Sequence, residues 1–191
     1  MKKLTVLKTF MAVLVSAVSL SLMSCMDDGP EIIPVKLEDV NGNYKAKLIV
    51  TQGNNKIEKV ADFKAKKDTI TFLDFPVKEI VKSVVKDPAK TESALAAIGK
   101  VKYNLNYTSS INANHNVVEL IFAPKTLEIQ IPEDGAIKKT VVTFITKEKG
   151  FYVGQNRAMQ FGLEAEKITV DGVLLTPYEM IKYDFPYCVK Y

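Results

Sequence analysis

Apolar and polar residues alternate through most of this 191-residue chain. A period of two commits a segment to a strand with one buried face and one wet face. Tyr44, Ala46, Leu48 and Val50 alternate with Lys45, Lys47, Ile49 and Thr51, and Val101, Tyr103, Leu105 and Tyr107 with Lys102, Asn104, Asn106 and Thr108. The same reading predicts strands over 58–65, 69–73, 117–122, 126–131, 140–146, 151–153, 158–165 and 167–170. Turn formers separate them at Gly53-Asn54-Asn55, Glu133-Asp134-Gly135, Lys149-Gly150 and Asp171-Gly172, the last a strong hairpin dipeptide.

One region has the helical period instead. After Pro76, residues Val77, Ile80, Val81 and Val84 form an apolar stripe, which leaves Lys78, Glu79, Lys82 and Lys86 for water. Following Asp87-Pro88, Ala94, Leu95 and Ile98 share a face that stops at Gly99. The expected fold is therefore mainly β (α+β). It is an antiparallel β-sandwich or a partly open barrel of roughly eight to ten strands, with a short helical pair inserted near residues 76–99. A helical pair in mid-chain argues against a simple up-and-down barrel.

The amino-terminal segment obeys another rule. Lys2, Lys3 and Lys8 precede an uncharged run from Thr9 to Met26, the layout of a secretory signal. The run is close to the shortest length that spans a membrane, so an uncleaved anchor is the competing reading. Its end, Leu22-Met23-Ser24-Cys25, resembles the lipobox of bacterial lipoproteins, although Met23 stands where a small residue is commoner. The resemblance implies cleavage after residue 24 and acylation of Cys25, with several acyl chains giving stable anchoring. Asp27 and Asp28, just after that cysteine, resemble the surface-export signal of Bacteroidota lipoproteins; a solvated tether explains the same acids equally well. The organisation expected is a signal peptide over 1–24, a lipidated Cys and tether over 25–38, and one β-rich domain over 39–191. Extended, the tether reaches about 40 Å.

Removal of residues 1–24 also removes three lysines and no acid. The formal charge of +4 falls to 23 basic against 22 acidic residues. A near-neutral protein with a single arginine, Arg157, offers little to nucleic acid. No glycine-rich phosphate loop, calcium-loop spacing or nucleophile elbow is present, so no cofactor, metal site or catalytic residue is expected. The lone His115 belongs to a hairpin tip, "NANHNVVE". Glu164 and Glu166 read as the wet face of a strand. Tyr103 and Tyr107 share a face that suits a core better than a sugar-stacking platform. With Cys25 acylated, Cys188 has no partner and reads as a buried thiol.

Asp68-Thr69-Ile70 resembles the short O-glycosylation motif of exported Bacteroidota proteins, making Thr69 a candidate for modification. As a whole the chain resembles small uncharacterised lipoproteins of gut Bacteroidota. "GNYKAKLIV", with Gly42 and Tyr44, is also similar to the opening strand of lipocalin-like barrels. The resemblances imply an outer-membrane lipoprotein, at the cell surface or the periplasmic face, held by its lipid. Two functions are then expected: a non-enzymatic module that binds a partner protein or glycan, or a lipocalin-like carrier of a small apolar ligand. A ligand-sized void would favour the carrier, and a filled core the module.

Overall fold

The computed structural model describes residues 33–191. Pro34–Tyr191 form one unit. Its eleven strands are β1 (Gly42–Gln52), β2 (Asn55–Lys66), β3 (Thr69–Phe72), β4 (Tyr103–Asn112), β5 (Val117–Pro124), β6 (Leu127–Glu133), β7 (Ala136–Ile145), β8 (Gly150–Val153), β9 (Ala158–Val170), β10 (Val173–Leu174) and β11 (Ile181–Lys190). Two helices, α1 (Lys78–Val85) and α2 (Pro88–Ile98), separate β3 from β4, as the periodicity predicts.

β1 to β5 run up and down, each antiparallel to the last; β8 then joins β5, β9 joins β8, and β11 fills the place between β9 and β1. Eight strands thus close into an antiparallel barrel, the barrel rather than the sandwich of the two expected forms, and closed rather than partly open. The closing strand lies where the alternation predicts none, because Pro186 interrupts "IKYDFPYCVK". The register slips between Phe185 and Cys188, so this proline sits in a bulge that needs no ladder donor there. β9 is continuous through Glu166 rather than two strands, and is long enough to pair with β8 at one end and β7 at the other. The β6–β7 hairpin therefore leaves the barrel wall, and α2 lies against β6.

Two-residue turns set the register. Lys67-Asp68, Asp134-Gly135 and Asp171-Gly172 all have positive φ at both positions, the type I′ geometry that matches strand twist. At the amino-terminal end a 3-10 turn, Leu37–Val40, closes the barrel: Val40 is buried, and the Tyr44 hydroxyl donates to its carbonyl at 2.7 Å.

Aromatic rings fill the interior. Phe161 and Phe185 stack at 4.5 Å; Phe63 stacks on Tyr44 at 5.1 Å and meets Phe72 at 5.3 Å. Phe75 continues the column, with Tyr103 at 4.9 Å and Tyr183 at 5.1 Å, and Phe122 and Tyr107 extend it beside Phe161. All belong to one buried cluster. Each contact of this kind adds about 1 kcal/mol to the area it buries. α1 caps the column with Ile80, Val81 and Val84 of the predicted stripe and with Val85, which the stripe did not include.

Candidate functional site

The wall of the barrel is incomplete at one place. β3 pairs with β2 only from Phe63↔Phe72 to Lys66↔Thr69, after which the chain leaves the sheet through residues 73–76 to start α1. Beyond Phe63, β2 keeps β1 on one side and, among the described residues, has no strand on the other. A cleft of about 740 Å³ occupies the gap. Lys64, Lys66, Lys67 and Thr71 line it from outside the barrel, Leu73, Asp74, Pro76 and Lys100 from the departing chain, and Leu48, Ala61 and Phe63 from within. Five lysines face two aspartates, so the cleft is cationic. Val60 and Leu73 expose 69 % and 72 % of their surface there.

One of those lysines points inward. Lys59 pairs with the buried Leu48 and so shares its face of the sheet. Its ammonium lies 4.0 Å from the carboxylate of Glu79 in the first turn of α1. Glu79 is only 3 % exposed, which corrects the reading that left it for water. The amphipathic stripe is wider than the four residues that define it, because α1 sits on the barrel's mouth and turns this acid inward. Neither carboxylate oxygen, nor the hydroxyl of Tyr183, has a hydrogen-bond partner among the described residues. Burial, and secondarily the charge of Glu79, pushes the Tyr183 phenol well above its usual range.

The other candidates are dispersed. Cys25, Asp27 and Asp28 lie outside the described residues. Thr69 is the first residue of β3, half-buried, its hydroxyl 3.3 Å from Asn106 Oδ1. His115 is at the β4–β5 tip, held by Asn112, and Tyr103 and Tyr107 are core residues, not a platform. Cys188 is fully buried and its thiol is raised by burial. Glu164 lies on the outer wall, with Lys147 at 2.8 Å and Lys182 at 3.6 Å, whereas Glu166 is exposed. Among the described residues no group of three acids, cysteines or histidines could hold a metal. Among them, too, no helix is long and apolar enough to cross a membrane.

Fold and cleft together define an antiparallel eight-stranded barrel with a ring-filled interior and a cationic lateral cleft. The chain belongs to the family described as a domain of unknown function, DUF4840, whose model matches residues 39–170. The match runs from the 3-10 turn to the last residue of β9 and so includes β2, β3 and the chain that departs from the sheet beside the cleft. No curated protein and no solved structure matches the chain.

Proposed function

We propose that the protein is a lipid-anchored, non-enzymatic binding module of the cell envelope, which engages a partner protein or glycan at the cleft beside β2. The observation that carries this reading is the column of rings, which occupies the space a carrier would keep for its ligand. The cleft is what remains open, and it presents both charge and apolar surface. The Leu22 to Cys25 segment supports the anchor at the outer membrane, with Asp27 and Asp28 as the export signal and Thr69 as the position to inspect for a glycan.

The test is made in whole cells, with a photo-crosslinking residue placed at Val60 or, as a control, at Ile137, which is also exposed. A defined adduct at Val60, absent at Ile137 and lost on reversing Lys64 and Lys100 to Glu, supports the cleft. Equal adducts at both positions, or none, count against it. Incorporation of an alkyne fatty acid that Cys25→Ser abolishes tests the anchor.

A carrier of a small apolar ligand is the second reading. It is favoured by the closed barrel and by Leu48, Ala61 and Phe63, which line the inner end of the cleft. Native mass spectrometry of protein extracted from membranes distinguishes the two, since a carrier retains a small-molecule adduct.

A further inference from the structure

The main chain of β2 specifies more than the side chains of the cleft do. The two-residue turn at Gly53 and Asn54 makes Gln52 and Asn55 a hydrogen-bonded pair. Alternating from there, residues 57, 59 and 61 point their N–H and C=O groups at β1. Lys56, Glu58, Val60 and Asp62 point theirs into the gap. The same alternation places Lys64 and Lys66 toward β3, with which they pair. The gap thus presents a row of donor and acceptor groups repeating every two residues, about 6.8 Å apart. An extended polypeptide matches that period, and a sugar has no equivalent of it.

The side chains choose among polypeptides. Lys64, Lys66, Lys67 and Lys100 line the cleft at the Asp62 end of the row, and Val60 and Leu73 leave an apolar seat beside it. A second copy of β2 is a poor match, because Lys56, Lys59, Lys64 and Lys66 outnumber Glu58 and Asp62 on this strand. Lysines on an open edge deter unmatched strands, and here they leave it selective for acid.

We infer that the gap receives an extended, acidic segment of a partner polypeptide, which adds to β2 as a further strand. Its main chain pairs with Lys56, Glu58, Val60 and Asp62, its carboxylates meet the lysines at the Asp62 end, and an apolar residue seats between Val60 and Leu73. This inference rests on the cleft being the recognition surface and names what the cleft recognises.

The experiment uses the full chain and a capped peptide of alternating Glu and Val, with amide hydrogen exchange followed residue by residue. Bound peptide slows exchange at residues 56, 58, 60 and 62 by about tenfold or more and leaves residues 57, 59 and 61, already bonded to β1, unchanged. Two variants weaken binding by about tenfold or more. Val60→Pro removes a donor in the gap while keeping every bond to β1, and Lys64→Glu with Lys100→Glu reverses the charge. The same peptide N-methylated at alternate residues fails to bind. Peptide binding that protects none of the four amides overturns the inference, and so does equal binding of a Lys-Val peptide. Protection that arises without peptide, from self-association or from residues 1–32, overturns it too. If the Val60 crosslink in cells survives while the peptide protects nothing, strand addition fails and the cleft stands. If both are absent, both fail.

Discussion

Lys59 and Glu79 face each other across 4.0 Å at the mouth of the barrel, one on a strand open to the cleft and the other on the buried face of α1. The pair is therefore asymmetric. Without Glu79, the half-exposed ammonium can turn into the cleft and regain water; without Lys59, the carboxylate stays in the core with no compensating charge. Lys59→Met should cost about 3 kcal/mol and Glu79→Gln less than about 1 kcal/mol. Urea unfolding of the two variants checks this, and equal losses would refute the asymmetry.

Phe161 lies at the crossing of the ring contacts, touching Phe63, Phe122 and Phe185. Phe161→Ala should destabilise by about 3 to 5 kcal/mol. If the neighbouring rings hold their places, the void is apolar and dry, and benzene raises the melting temperature of the variant but not of the wild type. A wild type that responds to benzene as strongly would mean that the barrel already holds usable space, which revives the carrier.

Thiol counting reads the fold and the anchor together. Cys188 is buried, its thiol is raised by burial, and its Sγ lies 3.8 Å from the Phe185 carbonyl oxygen. Protein isolated from membranes should show no reactive thiol when folded and one per chain in denaturant. Two in denaturant would show that Cys25 is unmodified.

Alkali should unfold the protein through its phenols. Burial raises Tyr44, Tyr103, Tyr107, Tyr152, Tyr178 and Tyr183; Tyr107 is pushed up to about 12, first by burial and then by Asp68. The folded state thus holds these protons to higher pH than the unfolded chain does. The stability linked to them is fully present below about pH 10 and is lost progressively as the pH rises above it, the share of Tyr107 as the pH passes about 12. Phenolate absorbance at these tyrosines should appear together with the loss of circular dichroism. Smooth titration of all six before unfolding would contradict their burial.

Most strands and both helices are legible because each carries its own period, down to Pro88 in the first turn of α2 and Gly99 at its end. The closing strand is not, since Pro186 masks the alternation and only the pairing with β1 and β9 reveals a bulge that tolerates it. Glu79 was misplaced for a related reason: a helical wheel separates apolar from charged residues but cannot see that a barrel's mouth wraps past the stripe. The cleft had almost no local signal. Lys56 to Lys66 alternate like any strand, and the absence of a neighbour beyond Phe63 depends on where the chain turns after Phe72. Lys59, between Ile57 and Ala61 on the inner face, was the one visible irregularity, a charge on the side meant for the core.

The barrel is sealed by β11, which pairs with β1 from Tyr44↔Lys190 to Gln52↔Ile181, joining the first strand to the last. Contacts so distant along the chain form late in folding. A ribosome or export channel feeding this polypeptide amino end first would release β1 and β9 with bare edges until residue 190 had emerged. The interval before release is then the period of greatest aggregation risk, and a truncation of only ten residues at the carboxyl end would make it permanent.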